Sequence, residues 1–148
     1  MTETPLPRGL FATDPRIVGW KRFRFDYAYD GDTIWVTAML DSAKGVIGQG
    51  YVRLMGVQCA EVRTTNADEK RRGYEAKKYT ETWFNTHLHG AIINSYAFVM
   101  YAETDDKYGR WLGHIECSQG HCVNDDLLAS KHAISYLGPT GLSIEEQF

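Results

Sequence analysis

At 148 residues the chain is long enough to bury one core and too short for two ordinary domains. Its 43% hydrophobic and 24% charged content excludes intrinsic disorder as the default state. The formal charge of −3 excludes a global field that would draw a polyanion, so any attraction to nucleic acid must be local.

The first 18 residues hold three of the four prolines and read as an arm, leaving residues 19–148 as the domain. WKRFRFDYAYD then alternates Phe23, Phe25, Tyr27 and Tyr29 with Arg22, Arg24, Asp26 and Ala28, the period of a half-buried strand. After the turn signal Asp30-Gly31, TIWVTAML continues as a second strand. Residues 41–50, DSAKGVIGQG, are rich in glycine and small polar groups and are expected to form a loop before a third strand, YVRLMGV.

From Asp68 to Leu88 the period changes. Ala76, Tyr79, Thr80, Trp83, Phe84, His87 and Leu88 recur at helical intervals, with Gly90 as the stop. AIINSYAFVMY and RWLGHIEC read as two more strands, and CVNDDLLASKHA as a short helix with Asn124 at its N-cap. Three strands, a long helix, two strands and a short helix is the order of an α+β five-stranded OB-fold barrel, with the long helix packed against it.

Three cysteines, Cys59, Cys117 and Cys122, cannot all pair, and their spacing is not that of a disulfide framework, which favours a reducing compartment. The N-terminus lacks the apolar run of a signal peptide and no segment reaches the length of a membrane span, so a cytoplasmic, monomeric protein is expected. His114, Cys117, His121 and Cys122 flank a predicted turn and fit no standard structural-zinc spacing.

Chemistry is suggested by three short stretches. Asp30-Gly31-Asp32-Thr33 sets two carboxylates either side of a glycine, where they can converge on a hard cation or simply be solvated in a turn. RLMGVQCAE places Arg53 and Glu61 at the ends of an apolar stretch, and Asp106-Lys107-Tyr108-Gly109-Arg110 leads from a turn into an arginine whose planar fork suits a phosphate. Each alone is an ordinary surface feature. Together they are the inventory of phosphodiester cleavage: carboxylates for a metal, a carboxylate for water, and two guanidiniums for charge on the phosphoryl oxygens.

DGDT, then R-L-x-x-V-x-x-x-E, then DKYGR, in that order between about Phe25 and Tyr136, resembles the staphylococcal nuclease (thermonuclease) family of calcium-dependent OB-fold nucleases. The resemblance implies that Asp32 ligates the metal with Asp30 beside it, and that Glu61 acts on the attacking water. Arg53 and Arg110 would bind the scissile phosphate and stabilise its five-coordinate transition state. It also implies hydrolysis of DNA or RNA, preferably single-stranded, with little sequence selectivity, breaking the P–O5′ bond to leave 3′-phosphates. Such a site reads backbone rather than base edges. Lys107 and Tyr108 lie inside DKYGR, and Tyr136 falls near a base-contacting tyrosine of the family. The basic run Lys70-Arg71-Arg72 belongs to a segment with six bases against three acids; Arg71 and Arg72 are either phosphate contacts or a solvated helix face.

Two departures bear on the metal. Gln58 stands where the family has a second metal-binding aspartate, so the site loses a full charge and calcium is expected to bind more weakly or to yield to Mg²⁺ or Mn²⁺. Cys59 would contribute a backbone carbonyl, its thiol being too soft for Ca²⁺, and Ala60 replaces a proline. The expected activity is a metal-dependent endo- or exonuclease. The alternative is a non-catalytic OB-fold module that binds single strands and has lost full metal binding through Gln58.

Overall fold

A computed structural model of the chain describes residues 4–5, 19–41, 43–91, 95–105 and 110–135. Among the described residues eight strands and two helices follow one another: β1 Thr4–Pro5, β2 Gly19–Asp30, β3 Thr33–Asp41, β4 Val46–Leu54, β5 Val57–Gln58, α1 Ala67–Thr86, β6 Phe98–Asp105, β7 Arg110–Glu116, α2 Val123–Ala129 and β8 Ile134–Ser135.

β2, β3 and β4 form an antiparallel meander, β6 pairs antiparallel with both β2 and β7, and β7 returns to pair parallel with β4. The sheet thereby closes into a five-stranded barrel, the OB-fold plan. β1 lies parallel to β4 at Val46 and Ile47, and β5 with β8 makes a separate two-stranded ladder. No helix among the described residues is long and apolar enough to cross a membrane.

Alternation decides what each strand presents. Ile34, Val36, Ala38 and Leu40 of β3, with Val52 and Leu54 of β4, enter the core, so Trp35, Tyr51 and Arg53 lie on the outer face. α1 buries Gly73, Ala76, Thr80, Trp83 and Phe84, spaced as one helical face. Phe84 stacks on Phe25 at 4.2 Å and meets Phe98 edge-on at 4.8 Å, so the helix closes one end of the barrel with aromatic contacts. Asn66 caps α1 by accepting from the Glu69 N–H at 3.0 Å.

Four expectations need correction. Tyr27 and Tyr29 do not share the inward face of Phe23: an irregularity in the β2–β3 register between Phe25 and Tyr27 reverses the alternation, so Ala28 is buried and the two tyrosines are exposed. The loop at residues 41–50 ends early, because β4 begins at Val46. Gly48 and Gly50 are buried, inward positions of that strand, opposite Ala38 and Val36. The strand expected from Ala91 begins only at Phe98, because β2 presents its edge to β6 from Gly19 to Phe23 and no further. Asn124 is not the N-cap of α2. Cys122 holds that place, and the buried Asn124 amide instead donates to Met55 O at 2.8 Å and Gly113 O at 3.0 Å while accepting from Ile115 N at 3.1 Å.

Asn124 thus bonds α2 to the barrel through backbone groups that are buried at Gly113 and Ile115 and half-buried at Met55. Asn124→Ala is expected to cost about 2–4 kcal/mol, because it leaves buried partners unmade. Urea denaturation with an unchanged slope of free energy on denaturant would register that loss.

Candidate functional site

The turn between β2 and β3 is clamped from behind by α1. A Cβ on Gly31 would lie 2.7 Å from Ala76 Cβ and 2.9 Å from Cys59 Sγ, so only glycine allows this approach. Thr80 Oγ1 donates to Gly31 O at 2.6 Å. The carboxylates on either side are held at opposite flanks of a fixed turn and are both buried.

Asp32 Oδ2 accepts from the Cys59 N–H at 2.8 Å and lies 3.2 Å from Arg53 Nη1, while Oδ1 accepts from Thr33 Oγ1 at 3.2 Å. Burial pushes its carboxyl above the ordinary aspartate range, and Arg53 and the Cys59 N–H only partly draw it back. Burial also raises the Cys59 thiol, with Asp32 adding to the effect, so this sulfur is inert rather than nucleophilic.

Arg53 is fixed from several directions. Its Nη1 faces Asp32 O at 3.3 Å and Leu54 O at 3.4 Å, and its Nη2 donates to Gln58 Oε1 at 2.9 Å. The side chain is only 11% exposed, so the guanidinium is presented in a set orientation at the surface of the barrel. Gln58 lies against Arg53, with its carbonyl engaged by the guanidinium that also faces Asp32.

Asp30 Oδ2 accepts from Arg63 Nη2 at 2.8 Å and Oδ1 from Val62 N at 3.3 Å. The second bond holds the segment carrying Glu61 against the turn. Behind Glu61 its carbonyl oxygen would lie 2.5 Å from a Cβ on Gly73, so α1 supports this segment directly as well. The Glu61 side chain is exposed.

Arg110 opens β7. The parallel register sets Arg53 beside Leu112, so Arg110, two residues earlier on the same outer face, lies one strand over and about 6–7 Å along. Arg71 pairs with Glu75 at 2.9 Å on the solvent face of α1 and Arg72 is exposed; neither is bonded to the Asp30–Asp32 turn. Lys107, Tyr108 and Tyr136 lie outside the described residues. Arg63, with its cation over the Tyr29 ring at 3.7 Å, is the site neighbour that sequence spacing does not reveal, since its partner Asp30 is 33 residues away.

Among the described residues no three His, Cys, Asp or Glu side chains converge into a ready-made metal cage. The donors present are two carboxylates and backbone carbonyls. They suit a hard cation held by one or two carboxylates, with water and phosphate oxygens completing its shell, the mode usual for Mg²⁺.

A family model described as staphylococcal nuclease homologue matches residues 51–138, which include Arg53, Gln58, Glu61 and Arg110. No curated protein matches the chain.

Because the Asp32 carboxyl is raised on folding, its ionised form costs stability above the folded pKa, and that cost vanishes as pH falls through it. Asp32→Asn is accordingly expected to melt higher than the parent at neutral pH, with the gap closing on acidification. Thermal melts across the acid-to-neutral range check this; a variant less stable at neutral pH would mean that loss of the Arg53 pair dominates.

Proposed function

Since the chain belongs to the staphylococcal nuclease homologue family, we propose that it is a divalent-cation-dependent nuclease hydrolysing DNA or RNA phosphodiesters with little sequence selectivity. The observation that carries this reading is the oriented Arg53 guanidinium beside buried Asp32, with exposed Glu61 held against the same turn.

Arg53 and Arg110, on one face of adjacent strands, bind the scissile phosphate and neutralise charge as it grows on the equatorial oxygens. Glu61 accepts a proton from the attacking water, whose oxygen bonds to phosphorus as the P–O5′ bond breaks; the 5′-oxygen leaves with the bonding pair and takes a proton from solvent, giving a 3′-phosphate and a 5′-hydroxyl. Asp32, with Asp30 alongside and the Cys59 carbonyl near, is the anionic point that would hold a cation, Ca²⁺ or, given Gln58, Mg²⁺ or Mn²⁺. When bound, such a cation supplies positive charge that polarises a phosphoryl oxygen. A phosphate engaging Arg53 would release Gln58 Oε1 from its present bond. Lys107, Tyr108 and Tyr136 are proposed to contact the substrate on either side, and Arg71 and Arg72 to attract it. The three cysteines are free and buried, which suits a reducing compartment such as the cytoplasm, and the protein is proposed to act as a monomer.

A second reading is favoured by one observation. The residue in place of a second acidic ligand, Gln58, is neutral and bonded to Arg53, as in a module that binds single strands without cutting them. Single-stranded DNA and RNA incubated with Ca²⁺, Mg²⁺, Mn²⁺ or EDTA separate the two. The nuclease reading expects cation-dependent cleavage that falls about 100- to 10,000-fold in Glu61→Gln; binding without cleavage under every condition would favour the second. The cation is also expected to raise the melting temperature of the parent and not of Asp32→Asn, a readout independent of turnover.

Gly73→Ala places a methyl group against the Glu61 backbone, which must move, and is expected to lower the melting temperature and slow cleavage by the molecules that remain folded. Single-turnover rates alongside circular dichroism test that outcome.

A further inference from the structure

The outer face of β2, β3 and β4 is aromatic beside the site. Tyr29 and Tyr51 have ring centroids 5.3 Å apart, and Trp35 meets Tyr51 edge-on at 4.8 Å and stacks with Tyr27 at 6.2 Å. The hydroxyls of Tyr27 and Tyr51 are 3.3 Å apart. Tyr29 is 39% exposed, although the barrel interior has ample aromatic content of its own. Cross-strand aromatic pairing accounts for contact between these rings, and not for a cation placed over the exposed one. Arg63 lies 3.7 Å over the Tyr29 ring, its side chain 47% exposed, and is held there by its bond to Asp30.

Position gives this patch its meaning. Thr33 pairs with Arg53 and Trp35 with Tyr51, so Tyr51 follows Arg53 along one outer face at about 6–7 Å. That is near the reach of one extended nucleotide from a phosphate at Arg53. Aromatic faces and guanidinium planes are the two surfaces on which unpaired bases stack, and the corresponding strands of OB folds are a face that takes oligonucleotides.

We propose that Tyr29, Tyr51 and Arg63 form a base-stacking subsite for the nucleotide next to the phosphate at Arg53, extending a single strand across the outer face of the barrel. This rests on the nucleic-acid reading above. The subsite is specific for the presence of a base and indifferent to which base it is.

The test is fluorescence anisotropy in EDTA, so that turnover does not intervene, with a labelled short oligothymidylate and an abasic oligomer of equal length and phosphate number. The parent is expected to bind the oligothymidylate more tightly than the abasic strand. Tyr29→Leu is expected to lose about 5- to 150-fold for the oligothymidylate, the stacking of one base, and to leave abasic binding within about twofold. Tyr51→Thr serves as a second variant should Tyr29→Leu not fold, as judged by thermal melting. Equal losses for both strands, or none for either, would overturn the subsite while leaving the nuclease reading intact. A parent that binds neither strand in EDTA yet cleaves single strands with a divalent cation present would overturn the subsite alone, and one that neither binds nor cleaves would overturn both.

Discussion

The buried Asp32 carboxylate is the constraint on which the site depends. An anion in this position is expensive to desolvate, and three groups offset part of that expense: the Cys59 N–H, the Thr33 hydroxyl and the Arg53 guanidinium. They come from the connection after β5, from β3 and from β4. Satisfying one carboxylate therefore draws three pieces of backbone to one point. Burial still leaves its proton affinity raised, because desolvation outweighs these partners.

That carboxylate is placed by packing rather than by charge alone. Gly31 lets the turn press on Ala76 and Cys59, Thr80 bonds its carbonyl, and Gly73 lets α1 approach the Glu61 carbonyl. One helix thus backs both the Asp30–Asp32 turn and the Glu61 segment, and each of its two contacts requires a missing side chain. Barrel closure acts on the other side. The parallel pairing of β4 with β7 places Arg53 and Arg110 on one face, although 57 residues separate them in the chain.

The polar groups around the turn are paired with unequal exposure. Asp30–Arg63 and Asp32–Arg53 each match one carboxylate with one guanidinium, so a nominally acidic turn presents a balanced surface. Gln58 keeps that balance. An aspartate there would add a charge against the same Arg53 fork, whereas the amide accepts a hydrogen bond without it. On the proposed reading, the negative total of the chain is compatible with local attraction of phosphate, because Arg53 and Arg63 set guanidinium charge beside the turn.

Local pattern was enough for several features. The 3.6-residue recurrence through Trp83 and Phe84 specifies α1, the period-two alternation specifies β2 as far as Phe25, the turn signal Asp30-Gly31 separates it from β3, and the order of elements points to the barrel. Asp30, Asp32, Arg53, Glu61 and Arg110 are candidates by residue type and order in the sequence, and the fold sets Arg53 against Asp32. Tertiary structure decided the rest. Val46 to Gly50 form a strand only because neighbouring strands take their backbone groups, Asn124 leaves a helix cap because sheet carbonyls compete for its amide, and Gln58 turns to Arg53 because that guanidinium already faces Asp32. Arg63 meets Asp30 and Tyr29 across more than thirty residues, a contact that no period encodes. Periodicity reports which face a residue presents; which partner waits on that face is settled only when the barrel closes.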